Sequence, residues 1–130
     1  GARPEVREQL LPRVDYVAMD VKFAPADYPA RAGFDDIAAL TESIRLIRET
    51  AADYEFRTTV IEAWHTEDSI RAIGEWVQGA KRHVLQAFVP RAELPAAECR
   101  AMPETRAAVL RAHADRLRPY VQRVEIRGGF

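Results

Sequence analysis

Val14-Asp15-Tyr16-Val17-Ala18-Met19-Asp20-Val21-Lys22-Phe23 reads as a β-strand with one apolar and one polar face. Side chains alternate along a strand with period two. Val17, Met19 and Val21 therefore share one face, and Tyr16, Ala18, Asp20 and Lys22 share the other. The stretch from Tyr54 to Ile61 repeats the pattern, with Glu55, Arg57 and Thr59 against Phe56, Thr58 and Val60. Parallel strands covered by helices are usually apolar on both faces. Carboxylate, ammonium and guanidinium groups on one face of two neighbouring strands point instead to a polar lumen that holds a polar ligand.

Working outward, strands alternate with helices. A loop with Pro25, Pro29 and Gly33 follows the first strand, and Asp35 or Asp36 is placed to cap a helix that runs to about Thr50. Ile37, Leu40, Ile44 and Ile47 recur there at helical spacing. After the second strand, Thr66 starts another helix with Ile70, Ile73 and Val77 as its inner stripe, and Gly79 is placed to end it. A third strand is expected over His83 to Val89, then an irregular loop with Pro95 and Cys99. The third helix is expected from about Glu104 to Leu117, with Ala107, Leu110, Ala114 and Leu117 inward and Pro119 barring its continuation. The last strand is expected over Val121 to Arg127, with Arg123, Glu125 and Arg127 on one face.

This alternation predicts βαβ units and a parallel sheet. It does not by itself separate a barrel from an open sheet. The polar face favours a barrel, in which one side of each strand meets helices and the other meets the lumen, with ligands toward the C-terminal strand ends. Four strands cannot close a barrel. The expected fold is therefore α/β, the C-terminal half of a partial TIM-like barrel, as a single domain over residues 1–130. Such a sheet would present an unpaired edge and be marginally stable or self-associating if made alone.

Composition narrows the function classes. Hydrophobic residues at 48% and charged residues at 30% fit a soluble globular domain with a real core. A net charge of −1 with both signs interspersed gives no argument for nucleic acid or an anionic membrane. No apolar run approaches the roughly 20 residues of a membrane span. The start, Gly1-Ala2-Arg3-Pro4-Glu5, has no apolar stretch of the signal-peptide kind. One cysteine, Cys99, excludes a disulfide framework within this chain and suits a reducing cytosol. The chain opens without methionine in what reads as the tail of a helix (Glu5 to Leu11, then Pro12), so it is expected to be a piece of something longer.

Five segments carry a resemblance. They are Val14 to Lys22; Tyr54-Glu55-Phe56-Arg57-Thr58-Thr59-Val60; His65-Thr66-Glu67; Val84-Leu85-Gln86-Ala87-Phe88; and Val124-Glu125-Ile126-Arg127-Gly128. In that order they resemble the C-terminal half of the radical S-adenosylmethionine activating enzymes. The likeness is greatest to those serving the anaerobic ribonucleoside-triphosphate reductase, with the pyruvate formate-lyase activases as near relatives. The resemblance implies a (β/α)6 partial barrel and a [4Fe–4S] cluster held by a CxxxCxxC loop, with S-adenosylmethionine on it. It implies a deoxyadenosyl radical that abstracts hydrogen from a glycine of a partner glycyl radical enzyme, and an electron donor such as flavodoxin or ferredoxin. The family's Asp-x-Lys pair matches Asp20 and Lys22. Its fifth-strand stretch beside the cofactor matches Arg57 and Thr59, and its sixth-strand end matches Gln86 and Phe88. The implied setting is cytoplasmic.

The residue chemistry suits that cofactor. Lys22 and Arg57 can meet its carboxylate with charge-assisted hydrogen bonds. Asp20 can accept from ribose hydroxyls or pair with Lys22, and adenine can stack on an apolar or aromatic wall. Three departures stand against the resemblance. The CxxxCxxC loop and the Gly-Gly-Glu stretch of the family are absent, and Glu62-Ala63 stands where many relatives have Pro-Gly. The chain as given is not expected to assemble the cluster or turn over. Two other classes of function remain open: a Schiff-base lyase using Lys22 as nucleophile, and a non-catalytic binding module. His65 reads as a helix-start residue, and His83 and His113 lack metal-ligand spacing. Trp64 and Trp76 read as packing groups, Cys99 as an incidental thiol, and Arg106, Arg111, Arg116 and Arg118 as a solvated helix face.

Overall fold

The computed structural model describes residues 16–29, 36–90 and 103–128. Strand β1 (Tyr16–Asp20) leads through a short 3₁₀ turn (Pro25–Asp27) to helix α1 (Ile37–Thr50) and strand β2 (Asp53–Val60). Helix α2 (Glu67–Trp76), strand β3 (His83–Ala87), helix α3 (Ala107–Leu117) and strand β4 (Val124–Arg127) follow. The four strands form one sheet in the order β1-β2-β3-β4, every pair parallel. The α/β alternation expected from the sequence is present. The expected helix at Glu5–Leu11, the loop around Gly33 and the segment with Pro95 and Cys99 lie outside the described residues.

Local chemistry sets the helix starts. The Asp36 carboxylate accepts the Ala39 N–H at 3.0 Å at the head of α1. Thr66 and Ser69 form a reciprocal capping box at the head of α2. Helix α3 begins at Ala107 rather than near Glu104. Thr105 is only 2% exposed and its hydroxyl is committed to the sheet, donating to the Val60 carbonyl while accepting the Phe88 N–H at 2.8 Å. That leaves Arg106 extended, at φ −75° and ψ 144°. Glu62, read as a departure at the sequence level, accepts the Arg106 N–H at 2.8 Å and pairs with its guanidinium. A carboxylate there also complements the positive end of α3.

The helix side of the sheet carries the core. Val17, Met19, Tyr54, Phe56, Val60 and Leu85 pack against Ile44, Ile47, Ile70, Ile73, Leu110 and Leu117. The stripes expected on the helices face inward, with Ile37 and Ala107 only half-buried. Two positions constrain this packing. Gly79, at φ +87°, turns the chain after α2 in the left-handed region that glycine tolerates. A Cβ on Gly74 would lie 2.5 Å from the Tyr120 ring, so α2 needs a bare backbone there.

His83 is the polar exception in this core. It is fully buried on β3. The Thr58 hydroxyl donates to the Val21 carbonyl at 2.7 Å, so its oxygen accepts from His83 Nε2 at 2.9 Å. The ring is therefore the neutral Nε2–H tautomer, and Nδ1 meets no hydrogen-bond partner among the described residues. Burial pushes its pKa from 6.5 down to about 4.

Two outcomes are expected. Gly74→Ala gains helix propensity of roughly 1 kcal/mol but overpacks against Tyr120 at a cost of about 1–3 kcal/mol. Urea unfolding should therefore show a net loss, relieved by pairing the change with Tyr120→Ala. For His83, the unfolded chain takes up the proton near pH 6.5 while the folded one resists to about 4. Stability should fall as pH drops through that window, by on the order of 3 kcal/mol in all. His83→Leu should flatten the slope measured between pH 7 and 5, leaving the smaller part due to His113, whose pKa burial also lowers.

Candidate functional site

The face of the sheet opposite the helices is polar, as the alternation predicts. Register fixes its rows: Ala18 lies beside Glu55, Asp20 beside Arg57, Thr59 beside Gln86, and Gln86 beside Arg127. Glu55 is the centre of its N-terminal half. It is 2% exposed although it stands on the open face. The Arg127 guanidinium reaches across β3 and donates two hydrogen bonds to its carboxylate, both 2.9 Å, and the Tyr16 hydroxyl donates a third. Arg57 Nε lies 3.7 Å from the same carboxylate and Arg82 4.0 Å from it. Glu125 extends the network to Arg82, Arg123 and Arg127 at 3.7, 3.3 and 3.4 Å. Val84, under this lattice of charged side chains, is fully buried yet lies outside the helix-side core.

The electrostatics follow from that geometry. Burial is the largest single influence on Glu55 and opposes its charge, but the hydrogen bonds from Arg127 and Tyr16 and the charges of Arg127 and Arg57 together win. They hold the carboxyl below the usual carboxylate range. The Tyr16 hydroxyl is pushed up by desolvation and then by its contact with Glu55.

Toward the C-terminal strand ends the lattice opens. Asp20, Lys22, Phe23, Arg57, Thr59, Ile61 and His65 line a cavity of about 140 Å³. Beyond it, Thr59, Gln86, Phe88, Val89, Arg127 and Gly128 border a second, of about 430 Å³. The six residues singled out in the sequence thus fall into two neighbouring groups: Asp20, Lys22, Arg57 and Thr59 in one cavity, and Thr59, Gln86 and Phe88 in the other. Thr59 is common to both, its hydroxyl 3.5 Å from Gln86 Oε1. The volume of the larger lies within the roughly 300–1,000 Å³ typical of small-ligand pockets.

One of the two roles open to Asp20 is not seen. Asp20 pairs with Arg57, at 3.5 Å, and not with Lys22. The two partners stand side by side on adjacent strands, whereas Lys22 lies past the end of β1. Lys22 is exposed, and its ammonium makes no ion pair with a described residue. The Arg57 guanidinium is held by charge alone, since Nε is buried without a hydrogen bond among the described residues.

Buried polar side chains fix the backbone around these cavities, and sequence reading did not find them. The Tyr28 hydroxyl accepts the Lys22 N–H at 2.7 Å. His65 Nδ1 accepts the Ile61 N–H at 3.0 Å while its Nε2–H donates to the Lys22 carbonyl at 2.8 Å. Its ring stacks on Phe23 at 5.6 Å. With the bond from the Phe88 N–H to Thr105, these explain why β2 and β3 stop short of the expected ends: the Ile61 and Phe88 N–H groups go to His65 and Thr105 instead of the ladder. On β1 the ladder runs one residue further, from the Val21 N–H to the Arg57 carbonyl at 2.8 Å, before Tyr28 takes the Lys22 N–H. The only legible signal was the His65-Thr66 helix start, which places His65 beside the strand end without showing what it binds. On and beside α3, Arg106, Arg111 and Arg118 are exposed, as a solvated face requires, and Arg106, Arg116 and Arg118 also form ion pairs with Glu62, Glu67 and Asp115. No group of acidic, histidine or cysteine side chains suited to a metal ion occurs among the described residues. No helix there is long and apolar enough to cross a membrane.

Glu55→Gln is expected to cost about 1–3 kcal/mol at pH 7, since it removes charge-assisted hydrogen bonds whose partners are partly solvated. The sign with pH is set by a depressed carboxyl. Its contribution is full above 4.5 and disappears as pH falls through the lower folded value. Denaturant unfolding of the native and Glu55→Gln proteins should therefore converge in acid. A double-mutant cycle with Arg127→Ala should show coupling that is absent with Arg45→Ala on the outer face of α1.

Compared with models of protein families, with curated proteins and with solved structures, the chain matches none.

Proposed function

We propose that this chain is the S-adenosylmethionine-binding half of a radical activating enzyme, with its sheet forming the C-terminal half of a partial (β/α)6 barrel. The observation that carries the reading is the convergence of Asp20, Lys22, Arg57, Thr59, Gln86 and Phe88 on two cavities joined at Thr59. The strand order supports the barrel. Consecutive parallel strands with right-handed crossovers put every helix on one side, as a barrel does, whereas doubly wound sheets reverse their order to cover both. The cavities lie at the C-terminal strand ends, where barrel enzymes bind ligands.

The residues suit each part of the cofactor. Lys22, whose ammonium makes no ion pair with a described residue, and Arg57, which lines the same cavity, bring two positive charges to a carboxylate. Asp20, though drawn to Arg57, is 58% exposed and can accept from ribose hydroxyls. Phe88 offers an aromatic wall and Gln86 an amide beside it for adenine. A sequence with one cysteine does not supply the three thiolates of a [4Fe–4S] cluster, so in this reading the cluster is held by residues outside this chain. Bound in an assembled enzyme, the cofactor would be the source of a deoxyadenosyl radical. This half supplies orientation and exclusion of water. The partner in this reading is a glycyl radical enzyme, an anaerobic ribonucleotide reductase, in the cytoplasm.

Isothermal titration of S-adenosylmethionine into the chain tests this. Lys22→Ala and Arg57→Ala should each weaken binding roughly 10- to 100-fold, the worth of a charge-assisted hydrogen bond. Arg45→Ala should leave it unchanged. No binding by the native chain, or equal binding by all variants, would contradict the assignment.

A further inference from the structure

The backbone of Lys22 is held from two sides by side chains of other elements. Its N–H is accepted by the Tyr28 hydroxyl at 2.7 Å, and its carbonyl receives the His65 Nε2–H at 2.8 Å. Tyr28 comes from the loop before α1 and His65 from the turn before α2. Both are buried, at 5% and 3% exposed, and neither can yield without disturbing its own packing. Tyr28 sits edge-on to Phe23 and Trp76, while the His65 ring lies parallel to Phe23. His65 is also fixed at Nδ1 by the Ile61 N–H. The main chain at Lys22 thus has little freedom, while its side chain borders the cavity and makes no ion pair with a described residue.

From this geometry we infer that Tyr28 and His65 are positioning residues that aim the Lys22 ammonium at an anionic group bound beside Arg57. A flexible lysine loses up to about 2 kcal/mol of side-chain entropy when ordered. Fixing its backbone beforehand removes a further part of the ordering that a ligand would otherwise impose. Burial pushes the Tyr28 pKa up, so its hydroxyl remains the neutral acceptor over the physiological range. Every backbone polar group leaving a sheet needs a partner. A merely structural role would therefore satisfy Lys22 without changing what its side chain binds, and the test must read the side chain.

The inference rests on the reading that Lys22 meets the carboxylate of S-adenosylmethionine, so two probes are needed: S-adenosylmethionine and its decarboxylated analogue, which lacks that group. The native chain is expected to prefer the carboxylate-bearing probe at least tenfold. Tyr28→Phe keeps the ring and deletes only the acceptor. It should retain its affinity for the decarboxylated probe and lose most of the preference. His65→Leu should do the same, and His65→Gln, which keeps a donor and an acceptor, should restore it. Thermal unfolding of each variant identifies any that fails to fold, and the remaining variants then decide. A native chain without the preference overturns the carboxylate reading and this inference together. A native preference that survives in folded Tyr28→Phe and His65→Leu overturns the positioning role alone.

Discussion

Backbone N–H groups that leave a parallel sheet must find acceptors, and here three buried side chains provide them. Tyr28 takes the Lys22 N–H, His65 the Ile61 N–H and Thr105 the Phe88 N–H. Each acts just past a strand end, on the same edge of the sheet. Buried polar groups stay favourable only while they are hydrogen-bonded. Each side chain therefore specifies one path for its loop rather than a family of paths. Thr105 does this twice, because its hydroxyl also donates to the Val60 carbonyl and so joins the ends of β2 and β3. The result is a rigid rim on which Lys22, Thr59, Gln86 and Phe88 are displayed.

Glu55 divides the polar face below that rim. One nearly buried carboxylate with Tyr16, Arg57, Arg82 and Arg127 around it fills the N-terminal half of the face. Guanidinium suits this role because its planar fork matches a carboxylate along two parallel bonds. A desolvated carboxylate with only one such partner would be costly, and several cations at graded distances offset the burial. Arg57 belongs both to this lattice and to the cavity above it, since it lies between Glu55 and Asp20. The lattice and the open cavities are thus successive parts of one surface, the first filled by the protein's own charges and the second left for a ligand.

The fold was legible because its signals are local. Alternation along Tyr16–Asp20 and Asp53–Val60 assigned the faces, and the spacing of Ile70, Ile73 and Val77 assigned the inner side of α2. The grouping of Asp20, Lys22, Arg57 and Thr59 was legible for the same reason, as strand period and neighbouring registers bring them together. What could not be read depends on long-range partners. Glu55 and Arg127 are 72 residues apart, and Lys22 and His65 are 43 apart. No period or motif links them until β3 and α2 have been placed. The ends of β2 and β3 were misjudged because His65 and Thr105, from the connections that follow, take N–H groups that the ladder would otherwise use. Of the two roles open to Asp20, the pair with Lys22 does not form, because the sheet sets Arg57 beside it.

The central claim is that the two cavities joined at Thr59 form one binding surface for S-adenosylmethionine on the polar face. Amide chemical-shift mapping by NMR during titration with that compound tests it most directly. The account predicts shifts concentrated at Lys22, Arg57, Thr59, Gln86 and Phe88, with the helix-side residues around Ile44, Ile73 and Leu110 unmoved. Shifts confined to the helix side or to the apolar groove at Pro25 and Trp76, or none at all, would contradict it.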